Sequence, residues 1–188
     1  DLAIGTTQIP VEGDVSDWPV GGLVQISQTR PPREWVLGGS SGQTWSANNV
    51  DTEFRTIASA SEGLITVTAG LSKFHSATAP LETAVGLLTR SVTTRTILNA
   101  GVNVNNINER TFAHSMVMPG ASLTESYVAY QWMGHYGTPG RYADHYHMKG
   151  EETRGLELRG LSFYQTGNRC LTLHESNGIM VEDLVAGD

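Results

Sequence analysis

Two short stretches hold the side chains best suited to chemistry. Gly140-Arg-Tyr-Ala-Asp-His-Tyr-His-Met148 and Arg169-Cys-Leu-Thr-Leu-His174 together supply three histidines, one aspartate and two arginines. In each stretch apolar and polar residues alternate, the pattern of a strand with one buried face. If Tyr146, Met148, Leu171 and Leu173 point inward, then His145, His147 and His174 share the outward face. Neutral imidazoles on one face, with the carboxylate of Asp144, form a donor set for a divalent transition metal. No other cofactor follows from the sequence. The same residues also suit glycosidic chemistry. Hydrolysis needs two carboxyl groups across the bond, for which Asp144, Glu175 and Glu125 are candidates. Lyase chemistry instead needs a base such as histidine, with Arg141 and Arg169 to hold a sugar carboxylate.

Positioning such a face requires strands. The chain has 188 residues, long enough for one domain with a real core. Charged residues make up 16%, hydrophobic residues 39%, and there are 21 glycines, a profile of strands and turns. No window carries sustained helical periodicity. The net charge is −7 with no run of Lys or Arg, which argues against nucleic acid or an anionic membrane as partner. Cys170 is the only cysteine, so no internal disulfide forms. No apolar run reaches the roughly 18 residues of a transmembrane span.

Strands are predicted at 23–27, 55–58, 64–68, 85–88, 92–97, 112–118, 126–132, 156–158, 161–164, 170–174 and 179–185. Residues 30–49 are rich in Pro, Gly and Ser and read as a long surface loop tied down by Trp35 and Trp45. The asparagine-rich stretch Asn99–Arg110 reads as a turn. His75 and His114 stand alone in strand-like contexts and read as core or edge residues. His135 lies in a turn-rich loop leading to Arg141.

Internal spacing is clearest in the last third. Leu156-Glu-Leu158 recurs as Ile179-Met-Val181, and Leu161-Ser-Phe163 as Leu184-Val-Ala186, each after 23 residues. His145-Tyr-His147 faces Cys170-Leu-Thr172 at an offset of 25. Short strands that return after 23 to 25 residues predict a three-sided parallel β-helix over a single domain, residues 1–188. Adjacent strands lie about 4.8 Å apart, which brings all three imidazoles within reach of one ligand.

The residues also carry a resemblance. Gly140-Arg-Tyr-Ala-Asp-His-Tyr-His147 resembles the Gly-Arg-Tyr-Pro-Ile-His-Phe-His signature of a β-helix family. That family includes cell-migration-inducing hyaluronan-binding proteins, transmembrane hyaluronidases and fibrocystin-like proteins. Asn168-Arg-Cys-Leu-Thr-Leu-His174 followed by Asn177-Gly-Ile-Met-Val-Glu-Asp183 resembles its next coil. Glu53-Phe-Arg-Thr-Ile57, Val85-Gly-Leu-Leu-Thr-Arg-Ser-Val92 and Met133-Gly134 match in order, and Asp17-Trp-Pro-Val-Gly21 is similar to the segment leading in.

The resemblance implies an all-β, right-handed parallel β-helix of the pectate-lyase type, and a fragment of a longer chain with neighbouring domains is expected. It implies an extracellular or cell-surface location and contact with polysaccharide such as hyaluronan. Arg141, His145, His147, Arg169 and His174 fall on family positions, with His135 and Glu175 as further ligand contacts. If the chain is an enzyme, it depolymerises polysaccharide as a hydrolase or lyase, with His145, His147, His174 and Asp144 as the catalytic candidates. Ala84 and Ala129 stand where the family carries acids, which favours contact without catalysis. The alternative is a structural building block of a coat or filament, formed by end-to-end self-association.

Overall fold

In a computed structural model, residues 1–29, 36–38, 42–44, 51–78 and 82–187 are described, with 36–38 and 42–44 described as backbone. Trp35 and Trp45 lie outside these residues. Among the described residues the regular structure is strand, apart from two short 3-10 turns at Ile107–Glu109 and Glu151–Thr153. The chain forms two compact units, Asp1–Leu87 and Leu88–Asp188.

The first unit contains β1 (Gln8–Pro10), β2 (Leu23–Ile26), β3 (Val36–Gly38), β4 (Gly42–Thr44), β5 (Glu53–Ser61), β6 (Leu64–Val67) and β7 (Val85–Leu87). Five of these form one sheet in the order β1-β6-β5-β2-β7, antiparallel at every pairing. The expectation of parallel coils along the whole chain therefore fails here. Alternation reveals which face of a strand is buried, but it does not give the direction of the neighbour. β3 and β4 pair antiparallel, so the stretch expected as an unstructured loop carries a short strand pair. The core is aliphatic, with Ile9, Val24, Ile26, Ile57, Ile65, Val67 and Leu71 buried.

One polar cluster is buried beside that core. The Glu53 carboxylate accepts from the Arg55 guanidinium, from the Ser72 N–H at 2.8 Å and hydroxyl at 2.5 Å, and from the Lys73 N–H at 2.8 Å. The fully buried His75 ring sits between Glu53 Oε1 and the Ser27 carbonyl, 2.9 Å from each. His75 is thus a satisfied core histidine. The cluster ties the segment after β6 to both β5 and β2.

The second unit contains β8 (Val92–Arg95), β9 (Glu125–Ser126), β10 (Val128–Gln131), β11 (Asp144–Gly150), β12 (Glu157–Arg159), β13 (Ser162–Tyr164), β14 (Leu171–Ser176), β15 (Met180–Glu182) and β16 (Val185–Gly187). All its pairings between strands are parallel. From β9 onward the chain visits three sheets in rotation, β9-β12-β15, β10-β13-β16 and β11-β14. The expected 23-residue offset appears in both Leu158↔Val181 and Phe163↔Ala186. The histidine strand departs from expectation, because His147 pairs with His174 at 27 residues, not 25. A bulge between His147 and Gly150 and the 3-10 turn that follows absorb the extra residues, and the 23-residue register returns at β12.

Left-handed residues mark the corners. Tyr127, Gly160 and Asp183 follow β9, β12 and β15 with φ of 54°, 65° and 53°. Trp132 and Gln165 follow β10 and β13 with φ of 52° and 49°. A single left-handed residue swings the chain from one sheet to the next. Asp183 therefore splits the predicted strand 179–185 into β15 and β16. The predicted strand 112–118 is reduced to a parallel bridge between Val117 and Tyr146, with a second bridge from Thr111 to His135.

The core holds Val117, Tyr130, Met133, Ala143, Tyr146, Leu158, Leu161 and Phe163. Gly167 is confined by the backbone, since an added Cβ would overlap the carbonyl oxygens of Gly134 and Arg110. Gly167→Ala is expected to destabilise this unit by about 1–3 kcal/mol, the usual cost of overpacking. A urea midpoint equal to wild type would contradict that constraint.

Candidate functional site

Strand alternation decides the two sides of β11. Tyr146 is fully buried in the core, so His145 and His147 project from the other face. The 27-residue register sets His174 beside His147 and Thr172 beside His145. Ring centroids lie 4.9 Å apart for His145–His147 and for His147–His174, and 6.1 Å apart for His145–His174. His147 Nδ1 is 3.3 Å from His145 Nε2 and 3.1 Å from His174 Nδ1. The three imidazoles expected together are together.

Exposure differs along the row. His145 is 1% exposed although it faces away from the core, while the His174 side chain is 50% exposed. The cover over His145 is the segment leading into β11. His145 Nδ1 lies 3.0 Å from the Gly140 carbonyl, an acceptor only, so this nitrogen carries the proton. Tyr142 rests against the ring at 4.9 Å, and the Arg169 guanidinium lies 5.4 Å above Tyr142. Burial holds His145 below the usual imidazole range, and the His147, His174 and His114 rings push the same way. His114 is exposed, yet it belongs to this electrostatic neighbourhood.

Asp144 does not join the histidines. It is fully buried, and Ser115 Oγ donates to its Oδ1 at 3.4 Å. Its neighbour is the buried Glu125, which accepts from Tyr130 Oη and, at 3.1 Å, from Tyr146 Oη. Burial, then the Glu125 charge, pushes Asp144 up to about 8, and burial raises both tyrosines. As the residue before His145, Asp144 must take the face that His145 does not. The two carboxyl groups therefore pair inside the unit, away from the imidazole row.

The remaining candidates surround the row. Arg141 and Arg169 are exposed. His135 is half-buried, and its loop is closed by its N–H donating to the Arg141 carbonyl at 2.9 Å. Asn168 Nδ2 donates to the His135 and Thr138 carbonyls at 2.8 and 3.0 Å, fixing that loop beside Arg169. Glu175 is exposed at a left-handed position, with Oε1 3.9 Å from His174 Nε2. Ala129 is buried and pairs in register with Thr93 and Ser162, so no acid stands there. Sequence reasoning missed Tyr142 and Asn168, although both flank the arginines singled out.

This face lies inside a recognised segment. A family model described as CEMIP beta-helix matches residues 111–188. Residues 111–188 are thus similar to the CEMIP β-helix, over less than half of the chain. Human cell surface hyaluronidase CEMIP2 is 29% identical over 117 residues, covering 55% of this chain and 8% of that protein. The mouse cell migration-inducing and hyaluronan-binding protein is 38% identical over 52 residues, 24% of this chain and 4% of that protein. The chain thus spans less than a tenth of the length of these CEMIP relatives. Arg141, His145, His147, Arg169 and His174 all fall within the matched residues 111–188. Among the described residues, no helix is long and apolar enough to cross a membrane.

Proposed function

We propose that this chain is an extracellular or cell-surface module that contacts a uronate-bearing polysaccharide of the hyaluronan type. In this reading the rotation of strands through three sheets is that of a right-handed parallel β-helix. The contact surface is the face holding Arg141, Tyr142, Arg169 and the open edge of the histidine row. The observation that carries it is the Arg169 guanidinium over the Tyr142 ring, beside His145. A planar cation suits a sugar carboxylate, and an aromatic ring suits the apolar face of a sugar. The printed names of the two relatives, a hyaluronidase and a hyaluronan-binding protein, support the same ligand class.

Contact is favoured over hydrolysis by a carboxyl pair, because Asp144 and Glu125 are both buried on the core side. A chain of net charge −7 repels a polyanion overall, so binding must rest on the local cations and weaken with salt. Calorimetry with hyaluronan oligosaccharides tests this. Arg169→Ala is expected to weaken binding about 10-fold or more, as for loss of a charge-assisted hydrogen bond. Equal binding of neutral dextran, or no hyaluronan binding by the folded chain, would refute the reading.

A further inference from the structure

We infer that His145, His147 and His174 form a transition-metal site of the zinc type, with the Thr172 hydroxyl holding a fourth, exogenous ligand. This stands apart from the glycan reading and can hold or fail without it. The ligand atoms of the three imidazoles all lie within 4.8 Å of one another. Two of the separations, 3.1 and 3.3 Å, match the edge of a tetrahedron with metal–nitrogen bonds of about 2.0–2.1 Å.

The hydrogen-bond pattern points the same way. His145 Nδ1–H donates to the Gly140 carbonyl, which leaves the Nε2 lone pair facing His147. A ring N–H given to a backbone carbonyl is the usual support of a metal-ligating histidine. His147 Nδ1 faces both His145 Nε2 and His174 Nδ1. One hydrogen cannot satisfy three converging nitrogens well, whereas one cation satisfies all three lone pairs. With Asp144 on the core side, the set is nitrogen only, which suits zinc, copper or nickel over calcium or magnesium.

Thr172 supplies an independent sign. It sits in register beside His145, and its Oγ1 is buried with no hydrogen-bond partner among the described residues. A buried hydroxyl left unpaired on the imidazole face calls for a partner there. A water or small anion in the open fourth position, reached past the exposed His174, would provide it.

Cobalt serves as the probe. The full chain, stripped with chelator, is titrated with Co2+ and its visible absorption followed, then with azide on the loaded protein. One equivalent with an intense tetrahedral band is expected. His147→Ala should lose more affinity than the roughly 10–100-fold typical of an outer-shell change. His174→Ala, at an exposed position, provides the same test if His147→Ala misfolds. Thr172→Val should keep the cobalt stoichiometry and weaken azide about 10-fold. A folded wild type without stoichiometric cobalt, or alanine variants that bind as wild type does, would overturn the metal site. Unchanged azide affinity in Thr172→Val would overturn the role of the hydroxyl.

Discussion

Phe163→Ala is expected to destabilise the second unit by about 3–5 kcal/mol, a large fraction of the stability of a domain this size. Phe163 is fully buried and stacks on Tyr130 with ring centroids 5.1 Å apart and planes 12° from parallel. It pairs in register with Tyr130 on one side and the exposed Ala186 on the other, so truncation empties the space against the Tyr130 ring. The neighbouring strands are held on both sides by parallel ladders, which limits collapse into that space. Tyr130 would also lose the stack that aims its hydroxyl at Glu125. Urea unfolding measured by near-ultraviolet circular dichroism checks this. Phe163→Leu, closer in volume, should cost much less, under about 1.5 kcal/mol. Equal stability of the alanine and wild-type chains would show that the column does not support the unit.

In the first unit the largest effect is expected at Glu53. Glu53→Ala leaves the Arg55 guanidinium and the buried His75 ring without their shared acceptor, a loss of roughly 3–5 kcal/mol for a broken buried pair. The same residue sets an acid limit. Burial alone would raise its pKa, but hydrogen bonds from Ser72, His75 and Lys73 outweigh burial and lower it from 4.5 to about 2. The folded state therefore binds fewer protons than the unfolded state between those values. The stabilisation is complete above about 4.5 and drains away as pH falls toward 2, amounting to roughly 3 kcal/mol. Glu53→Gln should flatten that part of the stability–pH curve. An unchanged acid transition in this variant would show that Glu53 does not set the acid limit.

How much of this was legible beforehand depended on the kind of signal. The 23-residue returns at Leu158/Val181 and Phe163/Ala186 are readable directly, because positions stacked in register repeat an apolar residue. The return at the histidines is two residues longer than the expected 25, because a bulge and a 3-10 turn leave no periodic trace. Gathering His145, His147 and His174 on one face needed only strand alternation. Placing Asp144 with them ignored that same alternation, since neighbours in a strand take opposite faces. The burial of His145 was also hidden, because its cover comes from Tyr142 in a loop with no periodicity. The antiparallel sheet of the first unit was out of reach for a similar reason. Val24, Ile26, Ile57 and Ile65 announce a buried face but not a partner.

In the proposed function, the Arg141–His147 and Arg169–Glu175 segments form one polysaccharide-contacting face. Hydrogen exchange of the full chain, with and without saturating hyaluronan oligosaccharides, tests it most directly. Slowed exchange is expected only at residues 140–147 and 168–175, with the first unit unchanged. Protection elsewhere, or none at a ligand concentration that saturates calorimetric binding, would contradict it.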